Sequence, residues 1–189
     1  MIKVGIIGTH GVGKTTICHD LVSGLKKRSV NAEYLGEIAR DAERAGFRLN
    51  EGTTPESQKW ILYMQIPREL EFENRKGVDI LVCDRISFDN YLYFVKKFGA
   101  DAVLEQVVSE HVKTYSFIFK VPLNGDYLKD DGVRATDREF QKQMDEFITK
   151  ELIRRRIRFN NFEGINSALE IILGEKYAYH QWSDPRPAI

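Results

Sequence analysis

Gly8-Thr9-His10-Gly11-Val12-Gly13-Lys14-Thr15, followed by Thr16, is the stretch from which the rest of the chain can be read. It satisfies the pattern G-x-x-x-x-G-K-[ST] at every fixed position. Upstream, Ile2 to Ile7 (IKVGII) has the composition of a short buried strand. Downstream, Ile17, Leu21, Val22 and Leu25 recur at helical spacing. A glycine-rich turn between a strand and a helix is what phosphate binding requires. The glycines let successive backbone N–H groups turn toward phosphate oxygens, and the helix N-terminus adds a partial positive charge. The amides from Gly8 through Gly11, Val12 and Gly13 to Thr16 are therefore expected to cradle a nucleoside triphosphate. Lys14 is expected at its β- and γ-phosphates and the Thr15 hydroxyl on Mg²⁺.

Working outward, the sequence alternates strand and helix signals. Val30 to Gly36 predicts a second strand, Ile38 to Ala45 a short helix, and Gly46 to Gly52 a loop. Thr54-Pro55 is a helix start, with a threonine N-cap and proline at the first helical position; that helix is expected to reach about Arg75 with a kink at Pro67. Val78 to Cys83 (VDILVC) predicts a strand ending on Asp84, followed by a helix closed by Gly99 and another from Asp101 to Lys113. Tyr115 to Val121 predicts a fourth strand and Ile157 to Asn160 a weak fifth. Thr136-Asp137-Arg138-Glu139 reads as a capping box opening a long helix, and a last helix is expected from Gly164 to Leu173 with Gly174 as its stop. The pattern implies an α/β fold: a three-layer α/β/α sandwich around a five-stranded, mostly parallel sheet, with a lid segment. Residues 1–176 are expected to form one domain, with a lid at about 124–138 and a C-terminal tail at 177–189.

Composition narrows the class. The 189 residues hold 28 Lys+Arg and 28 Asp+Glu, a net charge of zero that disfavours a nucleic-acid or anionic-membrane partner. Cys18 and Cys83 have no metal-ligand spacing and are expected as buried thiols. No apolar run approaches a membrane span, so a cytoplasmic enzyme is the expectation.

Ligands of parallel sheets gather beyond the C-terminal strand ends, which directs attention to Glu37, Asp84 and the loop after Val121. Asp84 is placed beside the phosphate loop to hold Mg²⁺ or take a proton. It is followed by Arg85 rather than a water-activating acid, which favours transfer to an acceptor over hydrolysis. Glu37, with Arg40 three residues on, stands where a carboxylate can orient or deprotonate an acceptor; a solvated first-turn glutamate explains it equally. Asn124 to Arg138 is polar and charge-rich, and Arg134 or Arg138 is the arginine such a lid would insert. Arg138 in a helix first turn opposes the dipole, so stability does not account for it. The run Arg154-Arg155-Arg156 reads as a cationic helix end, and Trp60, Tyr63 and Met64 read as packing.

GTHGVGKTT (Gly8 to Thr16), GEIAR (Gly36 to Arg40), LVCDRISFDNY (Leu81 to Tyr91) and FKVPLNGDYLKDDGVRATDREFQ (Phe119 to Gln141) together make the chain similar to the P-loop nucleoside and nucleotide kinases. Within them it most resembles the AAA-type group related to the nicotinamide riboside kinase domains of bacterial NAD-metabolism regulators. Its Asp84-Arg85 pair is also similar to thymidylate kinases, in which the arginine meets the acceptor's phosphate. The resemblance implies an ATP- and Mg²⁺-dependent kinase acting on a nucleoside, nucleotide or related metabolite. It implies Lys14 and Thr15 at triphosphate and metal, Asp84 handling metal or proton, Arg85 at the acceptor, and Arg134 or Arg138 in the lid. Two other classes fit the same loop: an ATPase or GTPase switch, and a polynucleotide end-kinase using the arginine run.

Overall fold

Val4, Ile6 and Ile7 are wholly buried because the strand that carries them is the middle of the sheet. The computed structural model describes residues 1–49, 52–123 and 138–182. Five strands, β1 (Ile2–Ile7), β2 (Ala32–Leu35), β3 (Ile80–Asp84), β4 (Phe117–Lys120) and β5 (Asn160–Asn161), lie in the order β2-β3-β1-β4-β5 with every pairing parallel. Seven helices are described: α1 (Lys14–Lys26), α2 (Ile38–Arg44), α3 (Pro55–Glu73), α4 (Ser87–Phe98), α5 (Ala102–His111), α6 (Arg138–Arg154) and α7 (Ile165–Trp182). A parallel sheet needs both faces covered. Val4, Ile6, Ile80, Val82, Phe117 and Phe119 pack under α1 and α7, while Ile7, Leu81, Cys83 and Ile118 pack under α3 to α6. The expected three-layer architecture is the one observed.

The period-two alternation of strand side chains decides which layer each site residue enters. In β3, Ile80, Val82 and then Asp84 follow one parity toward α1, whereas Leu81 and Cys83 face α3 and α4. Lys3, Gly5 and Ile7 of β1 share the α3 side. Lys3 is only 4% exposed, yet it sits in a strand interior because Glu69 of α3, itself fully buried, meets its Nζ at 3.0 Å. Glu69 also accepts from Gln65 Nε2 at 2.9 Å and from the Tyr115 hydroxyl, and faces His111 Nε2 at 3.0 Å. Burial works against its charge, but His111, Lys3 and Tyr115 hold the carboxyl below the usual range.

Gly5 leaves room that this packing uses. A Cβ there would stand 2.4 Å from Ile86 Cγ2 and 3.2 Å from the Tyr115 ring. Gly5→Ala is expected to destabilise by about 1–3 kcal/mol through overpacking, read as a lower urea midpoint at unchanged m-value. Because Ile86 follows Arg85, the same variant is expected to disturb the site described below.

Several local expectations hold. Thr54 Oγ1 caps α3 by accepting from Ser57 N–H at 3.2 Å with Pro55 at the first position. Gly99 closes α4 with φ 87°, and Cys18 and Cys83 are free and buried. Others are corrected. The fifth strand is Asn160–Asn161 rather than Ile157 to Asn160, because Ile157 N–H is spent closing α6 on Leu152 O after the left-handed Arg156 (φ 55°). The last helix does not stop at Gly174; α7 runs on to Trp182, and Gly174 lies in its interior without the positive φ of a helix stop. α3 runs to Glu73, close to its expected end, with Pro67 inside it; the missing N–H would face the carbonyl of Tyr63, and both residues are exposed, so water can serve that carbonyl. Tyr63, at 46% exposure, is therefore not the packing residue its neighbours Trp60 and Met64 are. Thr136, Asp137 and most of the expected lid lie outside the described residues. No helix among those described is long and apolar enough to cross a membrane.

Candidate active site

β1 delivers the chain into the phosphate loop, where Gly11 and Gly13 adopt φ 73° and 81°, a region closed to most side chains. Gly13 is the N-cap of α1, so the helix N-terminus opens on the loop. Val12 is 2% exposed and packs into the core, leaving only its backbone for a ligand, and the Thr16 side chain is exposed. Lys14 folds back so that its Nζ donates to Thr9 O at 2.6 Å. Burial, then the nearby Arg85 charge, lowers the Lys14 pKa to about 8, although Asp89, Glu37 and Asp84 pull the other way.

Asp84, 1% exposed, ends β3 on the α1 side of the sheet. Its Oδ2 accepts from Thr15 Oγ1 at 2.6 Å and from the Tyr34 hydroxyl at 3.3 Å. Burial and the adjacent Asp84 carboxylate push the Tyr34 phenol up, so it remains a donor. A hydroxyl and a carboxylate held this close beside a glycine loop are a hard oxygen donor set that fits Mg²⁺ bound to phosphates.

The next residue turns away. Arg85 takes φ 78°, unusual for a branched-chain-sized side chain, while its N–H still bonds Ile6 O at 3.1 Å and completes the ladder. Arg85 keeps the parity of Leu81 and Cys83, so its guanidinium lies on the α3–α4 side. There Nε donates to Glu37 Oε1 at 2.8 Å, and a terminal nitrogen donates to Asp89 Oδ2 at 3.2 Å. The Tyr93 ring lies under the guanidinium carbon at 4.8 Å. Burial opposes the arginine's charge, but Asp89, Tyr93 and Glu37 more than restore it. Asp89, wholly buried, is pushed up by desolvation against the pull of Arg85 and Lys14. Glu37 is the N-cap residue of α2 but makes no side-chain cap; its second oxygen stands 3.7 Å from Arg40 Nε.

Lys14, Thr15, Asp84, Glu37 and Arg85 are thus gathered at the C-terminal edge of the sheet. Arg138 begins α6 with an exposed side chain, and Arg134 lies outside the described residues. Sequence reasoning missed Asp89, whose i+4 spacing from Arg85 on a helix start was the available signal. It also missed Tyr34, Gln65, Tyr93 and Gln141, which reach the site from distant segments. Asp89 Oδ1, Asn90 Nδ2 and Gln65 Oε1 are buried with no hydrogen-bond partner among the described residues.

A family model described as AAA domain matches residues 3–165. The chain belongs to the AAA domain family. No curated protein matches the sequence. Among solved structures, this AAA domain is similar to NadR in complex with NR, with a TM-score of 0.69 at 19% identity over 100% of this chain and 54% of that one. It is similar to NadR in complex with NAD and AMP-PNP, with a TM-score of 0.68 at 17% identity over 100% and 52%. It is also similar to deoxyadenosine kinase from M. mycoides with products dCMP and dCDP, with a TM-score of 0.61 at 12% identity over 94% and 100%. The AAA domain spans about half the length of the NadR structures it matches. It shares its fold with NadR and with this deoxyadenosine kinase.

Proposed function

We propose that the chain is a Mg²⁺·ATP-dependent kinase that phosphorylates a hydroxyl of a nucleoside-like small molecule. The observation that carries this reading is the double pairing of Arg85 with Glu37 and Asp89 beside the Thr15–Asp84 pair. Two half-sites meet at consecutive residues of one strand end. On the phosphate side, Lys14 and the loop amides bind the triphosphate, and Thr15 and Asp84 hold Mg²⁺ directly or through water. The metal, when bound, offsets charge on the β- and γ-phosphates.

On the acceptor side, Glu37 and Asp89 are matched by Arg85 and, at 3.7 Å from Glu37, by Arg40. A monophosphate brought there would meet two carboxylates, with Arg85 already engaged by both. A neutral or cationic nucleoside meets no such repulsion, and this favours a nucleoside over the phosphorylated acceptor that the likeness to thymidylate kinases implied. The unpartnered Asp89 Oδ1, Asn90 Nδ2 and Gln65 Oε1 supply polar atoms for such a molecule. The fold likeness to NadR holding NR and to a deoxyadenosine kinase supports the same class. Glu37, which keeps partial solvent access, takes the hydroxyl proton as the acceptor oxygen bonds to the γ-phosphorus and the bond to ADP breaks. Arg154 and Arg155 are engaged by Glu151, and Arg155 also by Glu105, which fits the helix-end reading of the arginine run better than a polynucleotide track.

The test is incubation with γ-labelled ATP and a panel of nucleosides, nucleoside monophosphates and oligonucleotides. Label is expected on a nucleoside; label confined to monophosphates or oligonucleotides, or on nothing, overturns the reading. Glu37→Gln, close in volume, is expected to lower kcat by about 10²–10⁴-fold while nucleotide affinity stays within about twofold.

A further inference from the structure

The phosphate loop is gripped by its own Lys14 and, from outside, by Tyr93 and Gln141. The peptide unit joining Thr9 and His10 is held at both ends. Its carbonyl, Thr9 O, accepts from Lys14 Nζ at 2.6 Å, and its N–H, on His10, donates to the Tyr93 hydroxyl at 3.1 Å. In a trans peptide these two groups point in opposite directions, so a single planar unit spans from Lys14 to Tyr93. The following peptide is held too: His10 O accepts from Gln141 Nε2 of α6 at 2.7 Å, and Gln141 is 2% exposed. The His10 ring stacks on Phe140 at 5.9 Å, and Phe140 meets the Tyr93 ring edge-on at 6.5 Å.

Tyr93 has a second role at its other end. Its ring carries the Arg85 guanidinium at 4.8 Å. A continuous chain therefore runs from Glu37 and Asp89 through Arg85, the Tyr93 ring and hydroxyl, and the Thr9–His10 peptide to the Lys14 ammonium.

We propose that Tyr93 is a positioning residue that ties the acceptor-side arginine to the phosphate loop and its lysine. The hydroxyl fixes the orientation of a peptide flanked by glycines at positions 8 and 11, where the backbone would otherwise be free to turn. This lowers the ordering cost of nucleotide binding. The ring fixes the height of Arg85, so a displacement at either half-site is passed to the other.

The two ends can be separated. Tyr93→Phe keeps the ring and removes the hydroxyl; Tyr93→Leu removes both. Tyr93→Phe is expected to weaken Mg²⁺·AMP-PNP binding, measured by calorimetry, by about threefold to tenfold, with the acceptor KM unchanged. Gln141→Leu, which frees the neighbouring peptide, is expected to act in the same direction. Tyr93→Leu is expected to weaken the nucleotide to the same extent and also to raise the acceptor KM by about threefold or more. Wild-type nucleotide affinity in Tyr93→Phe overturns the proposal. So does an equal rise of acceptor KM in both variants, since a merely structural tyrosine would not divide its effects this way. The acceptor arm rests on the kinase reading above. If the wild-type protein binds AMP-PNP yet labels no acceptor, that reading fails, and the nucleotide arm alone decides the role of the hydroxyl.

Discussion

Lys14→Ala is expected to lower the rate of γ-phosphoryl transfer by about 10²–10³-fold, the scale of losing one preorganised charge donor to the transferring group. Arg85 does not replace it, because its guanidinium is held by two carboxylates, Glu37 and Asp89. The lysine's buried setting adds a pH signature. Its pKa is about 8 in the ligand-free protein, and a bound triphosphate favours the charged form. Nucleotide affinity is therefore expected to be flat with respect to Lys14 below pH 8 and to fall above it, by about tenfold between pH 7 and pH 9. Stability should move the other way. Between about 8 and the ordinary value of 10.5 the unfolded chain holds more protons at Lys14 than the folded one, so this contribution to stability rises with pH across that window. Calorimetric titrations from pH 6.5 to 9.5 check the first statement. Lys14→Arg, which stays charged throughout, should remove the step; a wild-type affinity that is flat to pH 9.5 would contradict the assignment.

Arg85→Met is expected to cost about 3–5 kcal/mol, because it strands Asp89 as a buried carboxylate without its cation. For a chain of this length that lowers Tm by roughly 6–20 °C. Asp89 contributes most of the effect. Glu37 retains solvent and the neighbouring Arg40, whereas Asp89 is wholly buried. Adding Asp89→Leu to Arg85→Met is therefore expected to recover most of the lost stability while leaving transfer impaired. Thermal unfolding of the two single variants and the double gives the coupling directly. Additive losses would mean that the two side chains do not depend on each other.

The parts of the site that could be read from sequence are those whose chemistry is local. A phosphate loop is written in consecutive residues because its ligands are consecutive backbone amides, and Asp84 followed from the end of an apolar strand. The same holds for the Thr54 cap and the Gly99 stop. The left-handed backbone at Arg85 was not legible, because an arginine does not announce a positive φ. Nor was the burial of Lys3, which is acceptable only because Glu69 arrives 66 positions later. The fifth strand and the last helix were misplaced for a related reason. Residues such as Ile157 and Gly174 carry strand and stop propensities; the helix exit after Arg156 overrides the first, and Gly174 lacks the positive φ that a stop would need.

The bond between Gln141 and His10 joins residues 131 positions apart. During synthesis at about 5–20 residues per second, the phosphate loop would be made roughly 7–26 s before the side chain that completes its outer grip. β1 also waits for β3 to be translated before it has any partner in the sheet, and for β4 before both of its edges are paired. The glycine loop, although it precedes these partners in sequence, thus reaches its observed shape only after they have been made. A ribosome-bound fragment ending before α6 should carry the whole loop sequence and still bind nucleotide weakly.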